Sequence, residues 1–254
     1  MNIRSTGELL TRYNELSPQD RVIATVAHKH LKTIILVDLL ERGVRCYPSP
    51  LAQILHSSKS GQALVLKSWM LPQTRVIARR ADLMAAIGHY AKEGIGAVVT
   101  KAEHVHCGYG VQYWTDMETL YNHVGRSEEA YPFVLQPYLR DFRDVRVIIL
   151  GHYVEAYARE NPYNFRSNLA AGGSSRPFEL DADREKFCRN AMARGRFPYA
   201  HMDLQLLADG SCHLAEISLD GGIKGARITR RDLDRRKKTL LEELAAGAAA
   251  GHSQ

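Results

Sequence analysis

The chain has 254 residues, 45% of them hydrophobic and 24% charged, and a formal net charge of +6. This is an ordinary globular composition, long enough for one large domain or two modest ones. No apolar run approaches the roughly 20 residues of a membrane span, and the opening Met1-Asn-Ile-Arg-Ser-Thr-Gly7 lacks the apolar core of a signal peptide. The four cysteines form no CxxC pair. Reduced thiols, a cytoplasmic location and no membrane partner are therefore expected.

In chain order, residues 21–28 read as a strand, Leu31, Ile34, Ile35 and Leu39 recur at helical spacing up to Gly43, and residues 44–47 read as a second strand before Pro48 and Pro50. The pattern predicts a compact β-α-β piece, and Ser57-Ser-Lys-Ser-Gly61 predicts a break after it. A helix over 62–69, a strand over 74–78 and a helix over 82–92 follow, the last with Leu83, Ala86, Ile87 and Tyr90 on one face. A buried strand from Gly96 ends at Lys101 and leads into a loop with Gly108 and Gly110, then a short strand. His104, His106 and Cys107 in that loop would suit zinc, but no partner pair with finger spacing accompanies them. Phe133–Gln136 is strand-like and interrupted by Pro137, and residues 181–195 are helical. A charged helix and an Ala/Gly-rich tail, expected to fray, close the chain. The basic run Arg227–Lys238 reads as a solvated helix face. Nucleic acid is disfavoured as its partner because no aromatic residue lies among the cations.

Two hairpins carry the charge chemistry. Gly151-His152 as a two-residue turn sets Asp144 opposite Arg159, Arg146 opposite Tyr157 and Ile148 opposite Glu155, with Val145, Val147 and Ile149 on the reverse, core face. Read blandly, Asp144 and Arg159 are a cross-strand ion pair on a wet surface. Asp209-Gly210 as a two-residue type I′ turn sets Leu204 opposite Ala215, Asp203 opposite Glu216 and His201 opposite Ser218. Opposed residues have Cβ atoms about 5 Å apart, so two carboxylates placed this way repel unless a cation lies between them. Asp203, Glu216 and the Ser218 hydroxyl form an oxygen set suited to Mg²⁺, which completes its shell with water and phosphate. The alternative is a solvated edge hairpin, and a three-residue loop would change the facing parity.

The ordered set Lys59, Lys101, the glycine loop, Gln136-Pro-Tyr-Leu139, Asp144-Val-Arg146, Arg159, Arg166-Ser-Asn168, Asp203 and Glu216 resembles the ATP-grasp superfamily, in particular the branch of ribosomal-protein glutamate ligases and glutathione synthetases. The resemblance covers about residues 58 to 226. It implies an α+β fold in which two α+β subdomains clasp ATP, preceded here by a short N-terminal α/β piece. The implied division is 1–57 for that piece, 58–135 for the small subdomain with the phosphate loop, 136–240 for the C-terminal subdomain with the metal site, and 241–254 for a flexible tail.

The resemblance also implies roles. Lys59 and Lys101 would meet phosphates, and Gly108 and Gly110 would let a loop close over them with backbone N–H groups exposed. Gln136, Pro137, Tyr138 and Leu139 would form the hinge at the adenine edge, with a carbonyl from Pro137 and an N–H near Tyr138 or Leu139. Asp144 would lie near the ribose side of the nucleotide. Arg159 and Arg166 would face the γ-phosphate and an acyl-phosphate, with Asn168 on phosphate or a second metal. Asp203, Glu216 and Ser218 would hold two Mg²⁺ ions, with Mn²⁺ as an alternative; relatives usually carry Asn where Ser218 stands. The implied activity is an ATP-dependent carboxylate–amine ligation through an acyl-phosphate, on small-molecule or peptide substrates. The alternatives are an ATP-binding protein without ligase activity, a kinase-like member, and a basic interaction module. Tyr157, Tyr163, Phe165 and His201 are candidate acceptor-pocket residues, and Lys224 meets an anionic substrate or serves only as a turn residue.

Overall fold

Apolar positions around Val22 and Cys46 become strands β2 (Arg21–Val22) and β3 (Arg45–Cys46) in a computed structural model of the chain, which describes residues 1–103, 110–124, 130–162 and 172–250. They pair in parallel with β1 (Asn2–Ile3), in the order β1-β2-β3. Helices α1 (Thr6–Thr11) and α2 (Lys32–Glu41) connect them. The first strand and helix extend the expected β-α-β piece. Their signal was present as Ser5-Thr-Gly-Glu8: Ser5 Oγ accepts from the Glu8 N–H at 3.1 Å and caps α1. Strand β2 is shorter than the expected 21–28, because the chain leaves the sheet after Val22. The expected boundary after residue 57 runs close to helix α3 (Pro50–Leu55), whose Ala52 and Leu55 pack in the core of the C-terminal sheet.

The expected break at 57–61 is instead a helix start. Ser58 caps α4 (Lys59–Val65) by accepting from the Gly61 N–H at 2.9 Å. A Cβ at Gly61 would lie 2.9 Å from that same Ser58 Oγ, so glycine lets the cap close. The next unit is an antiparallel sheet of β4 (Arg75–Ile77), β5 (Val98–Ala102), β6 (Val111–Trp114) and β7 (Phe133–Pro137), ordered β4-β7-β5-β6. Helices α5 (Arg80–Lys92) and α6 (Met117–Val124) cover one face through Leu83, Ala86, Tyr90 and Leu120 against Phe133 and Leu135. The other face sets Val134 against Ala63 of α4 and Met70. Helix α6 was legible in its Met117, Leu120 and Val124 spacing and in the Asp116 cap, whose carboxylate accepts from the Thr119 N–H at 2.7 Å.

The C-terminal unit is a five-stranded sheet ordered β10-β9-β8-β11-β12, from β8 (Phe142–Leu150), β9 (Tyr153–Glu160), β10 (Ser174–Phe178), β11 (Tyr199–Leu207) and β12 (Cys212–Ser218). Val145, Val147 and Ile149 alternate into a core shared with Met202, Leu204, Leu214 and Ile217 and with residues of α7 (Ala182–Gly195) and α8 (Arg230–Ala250). Strand β10 has no apolar alternation; it is an exposed edge that exists through its pairing with β9. The expected flexible tail from 241 is corrected: α8 continues to Ala250, and burial of Leu241 and Ala245 holds it to the domain. The basic run is not a uniformly solvated face either. Lys237 is buried and donates to the Leu219 carbonyl at 2.8 Å, and Arg236 stacks over Tyr153.

The first hairpin has the expected register, with Asp144 opposite Arg159, Arg146 opposite Tyr157 and Ile148 opposite Glu155. The second reaches the expected pairing by a different route. Leu207 N–H bonds to the Ser211 carbonyl and Gly210 N–H to the Leu207 carbonyl, so the loop is Ala208-Asp209-Gly210, with Gly210 at φ +87°. This is the three-residue loop with glycine in the left-handed position, which shifts the register by one. Leu204 therefore faces Leu214, not Ala215. A bulge at Ala215 then takes up one residue and restores Asp203 opposite Glu216 and His201 opposite Ser218. Both departures serve packing, because the shifted register turns Leu214 into the core beside Leu204.

Candidate active site

Alternation along four strands puts Asp144 and Arg146 (β8), Tyr157 and Arg159 (β9), His201 and Asp203 (β11) and Glu216 and Ser218 (β12) on the face opposite the apolar core. This face is not wet. The Arg159 side chain is only 6% exposed, and that of Asp203 16%. Arg146 donates from Nε and Nη2 to the two oxygens of Asp203 at 2.7 and 2.8 Å. Arg159 donates to Asp144 at 2.8 and 2.5 Å and lies 3.1 Å from the second oxygen of Asp203. Burial acts to raise the Asp203 carboxyl, but the charges of Arg146 and Arg159 outweigh it and hold the group well below the usual carboxylate range. Burial wins at Asp144, which faces Arg159 and sits beside charged Asp203, so its carboxyl is pushed up. The bland reading of Asp144 and Arg159 as a surface pair is thus replaced by a desolvated cluster. Arg146, given no role from the sequence, is the principal partner of Asp203.

The bulge at Ala215 has a second consequence. Its carbonyl accepts from Lys101 Nζ at 3.1 Å, which fixes the ammonium at the end of β5 against β12. Burial lowers the Lys101 pKa against the pull of nearby Glu216, Asp203 and Asp144. Lys101 and Glu216 line a small cleft with Lys59, Gln62, Gln136 and Val134. Glu103, unmarked by the sequence reading, ties the foot of the glycine loop to α4 by accepting from the N–H groups of Lys59 and Ser60 at 3.1 and 2.5 Å. At the loop's other end the buried Gly110 accepts from the Ala102 N–H at 2.9 Å.

The hinge residues follow β5 closely. Pro137 pairs with Val98, and Tyr138 N–H donates to the Ala97 carbonyl at 3.0 Å. Of the two N–H groups expected near an adenine edge, that of Tyr138 is thus engaged within the sheet. Gln136 is buried and donates to Thr74 Oγ1 at 2.8 Å. The Ser218 hydroxyl donates to the Asp220 carbonyl, so it closes the following turn. Arg146 and Tyr157 both donate to the Gly222 carbonyl in that turn, at 3.0 and 3.4 Å. His201 is buried against Gly221 with neither ring nitrogen hydrogen-bonded among the described residues, and burial, with Lys237 and Arg146 near, pushes its pKa down to about 3. Lys224 is exposed. Gly108, Arg166, Asn168, Tyr163 and Phe165, and the His104, His106 and Cys107 group, lie outside the described residues.

Gln62 joins the two sheets. As the edge strand, β12 has backbone groups at Ile217 with no neighbouring strand. Gln62 from α4 supplies both partners: it donates to the Ile217 carbonyl at 2.9 Å and accepts from the Ile217 N–H at 3.0 Å. Each buried backbone group left unpaired costs about 1–3 kcal/mol, so Gln62→Leu is expected to lose roughly 2–4 kcal/mol. A urea titration should show a lower midpoint with an unchanged slope.

The sequence profile of the RimK-like ATP-grasp domain matches residues 56–239, which is more than half of the chain and contains both sheets of the site. The chain belongs to the RimK-like ATP-grasp family. No curated protein sequence matches this ATP-grasp chain. Among solved structures it is similar to the D-alanine–D-alanine ligase from Bacillus anthracis, at 13% identity and TM-score 0.63 over 97% of this chain and 86% of the other. It is similar to the D-cycloserine synthetase DcsG at 15% and 0.61, over 96% and 99%. It is also similar to the ATP-grasp ligase PsnB, solved with a minimal precursor, Mg and ADP, at 22% and 0.54. The chain covers 66% of the length of that PsnB chain. These likenesses establish the ATP-grasp fold, an α+β architecture.

No group of three or more His, Cys, Asp or Glu among the described residues forms a self-sufficient metal cage. Two carboxylates fit an ion that brings phosphate and water oxygens of its own. Asp203 Oδ1 receives one hydrogen bond, from Arg146 Nε, and Oδ2 the other two contacts. A carboxylate oxygen offers about two acceptor positions, so Oδ1 retains one.

Proposed function

We propose that the chain is an ATP- and Mg²⁺-dependent carboxylate–amine ligase working through an acyl-phosphate. The observation that carries this reading is the pairing of Asp203 with Glu216 across the β11–β12 ladder, with Glu216 lining the same cleft as Lys59 and Lys101. Asp203 and Glu216, with Ser218 at the strand end, would hold magnesium, which supplies charge neutralisation at the β- and γ-phosphates. Lys101, fixed by the Ala215 carbonyl, would meet the phosphates as a compact ammonium, with Lys59 beside it. Arg159 and, on the family pattern, Arg166 and Asn168 would bind the transferring phosphoryl oxygens. The substrate carboxylate would attack the γ-phosphorus with departure of ADP, and an amine would then displace phosphate to form the amide. The chain's own contribution is positioning and preorganised charge, and no side chain serves as a covalent nucleophile. Pro137 and Leu139 would meet the adenine edge.

The experiment is a screen of amino acids, small acids and peptides for ATP turnover, read by mass spectrometry for a condensed product. ADP and phosphate should appear in amounts matching the product only when a carboxylate and an amine are both present. A phosphorylated product with no amine requirement would establish the second reading, a kinase-like protein, which Ser218 in place of the usual asparagine favours. No Mg-ATP binding by the chain would overturn both.

A further inference from the structure

One buried carboxylate lies beside the Asp203 cluster without joining it. Glu155 on β9 is 3% exposed and shares its face with Tyr157 and Arg159, two and four residues on. Burial acts to raise its carboxyl, but its hydrogen bonds outweigh that and lower it. Oε2 accepts from Tyr153 Oη at 2.5 Å and from the Ile228 N–H at 3.3 Å. Oε1 accepts from the Arg227 N–H at 2.5 Å and from Arg227 Nε at 3.3 Å. Two of these donors are consecutive backbone groups, so the carboxylate holds the main chain itself at residues 227–228.

That stretch is tied to Arg146 through a short closed turn. The Ala226 N–H donates to the Ile223 carbonyl at 2.9 Å, and Gly225 has φ +94°. This is a β-turn with glycine in the left-handed third position. One end of the turn joins Arg227. The other follows Gly222, whose carbonyl accepts from Arg146 Nη1 at 3.0 Å and from Tyr157 Oη at 3.4 Å. The Nε and Nη2 groups of the same guanidinium hold Asp203. A guanidinium is a rigid planar fork, so fixing Nη1 on one carbonyl helps to aim the other two. Every link from Glu155 to Asp203 is thus a hydrogen bond or a single peptide step. Neither Glu155 nor Arg227 lines the Lys101–Glu216 cleft.

We infer that Glu155 is a positioning residue for Asp203, acting at a distance through the 222–228 segment and Arg146. The inference rests on the proposed reading that Asp203 and Glu216 receive a magnesium–nucleotide. Groups that orient a metal ligand tune the site without entering it. Here the orienting group is an acid on β9, and the loop after β12 carries its hold to the guanidinium.

Two measurements on the full chain test it, with ADP as the probe. In Glu155→Gln one carboxylate oxygen becomes an amide nitrogen, which accepts no hydrogen bond from a backbone N–H. Calorimetry should show Mg-ADP binding weakened about tenfold, the lower end of the range for groups that orient a metal ligand. ADP in EDTA should bind the variant as it binds the native chain. Equal weakening with and without the metal would make Glu155 a purely structural residue and overturn the inference, as would an unchanged Mg-ADP affinity. A native chain whose ADP affinity gains nothing from Mg²⁺ would sink the metal reading itself, and this inference with it. Because the variant could fail to fold, hydrogen exchange on the native chain gives a second reading. Linkage is reciprocal, so Mg-ADP should slow exchange of the Arg227 and Ile228 amides more than ADP in EDTA does. That slowing should exceed the slowing in α2, which lies in the N-terminal unit away from the cleft. Slowing at Arg227 and Ile228 that needs no metal, or that is no greater than in α2, overturns the inference.

Discussion

Replacing Arg159 with methionine should destabilise the protein by about 3–5 kcal/mol, the usual cost of removing one partner from a buried ion pair. At roughly 2–4 °C per kcal/mol for a chain of this size, the thermal midpoint should fall by roughly 6–20 °C. Arg159 is the cation that joins Asp144 to Asp203, and its side chain is 6% exposed. Without it Asp144 has lost the guanidinium that offsets its burial, while Asp203 still holds Arg146. The destabilisation should be partly reversed by millimolar Mg²⁺, because a divalent ion near the freed carboxylates takes over part of the lost compensation. Differential scanning fluorimetry with and without Mg²⁺ reads both effects. An unchanged midpoint would mean that water reaches these acids and that the face is not desolvated.

Lys101→Met should have the opposite profile. The ammonium is drawn out of water against the Ala215 carbonyl, and burial disfavours its charged form. A methionine of similar length removes that cost, so the nucleotide-free protein should be as stable as the native one or slightly more so. Binding of Mg-ATP should suffer instead. A ligand at 100 times its Kd stabilises by about 2.7 kcal/mol, and the variant should lose most of that increment. ATP turnover should fall by roughly 10²–10³-fold, the loss typical of removing one preorganised charge donor. A variant that binds and turns over Mg-ATP normally would remove Lys101 from the site.

Both predictions depend on residues whose positions were only partly readable. The β8–β9 hairpin was readable completely, since Gly151-His152 closes a two-residue turn and that turn fixes the register that puts Val145, Val147 and Ile149 on the core face. The β11–β12 hairpin led to the same acid pair through the alternative three-residue loop and a compensating bulge at Ala215 that the sequence did not signal. Apolar alternation could not reveal the bulge, because alanine is at home on either face. The role of Arg146 was hidden because β8 and β11 are distant in sequence, and only their pairing sets it opposite Asp203. Glu103 and Gln62 act across similar separations.

The amino-acid sequence by itself determined the α+β class, most of the helices and strands, and the ordered set of lysines, acids and arginines that marks an ATP-grasp chain. These are local patterns or a fixed order along the chain, and neither needs distant contacts. Only the tertiary structure decided that Asp203 is held by Arg146 and Arg159, that Tyr138 N–H is already used, and that α8 continues past residue 241, packed through Leu241 and Ala245. Each of those depends on which remote group supplies the counter-charge, the acceptor or the apolar surface, and burial sets how strongly each of them counts.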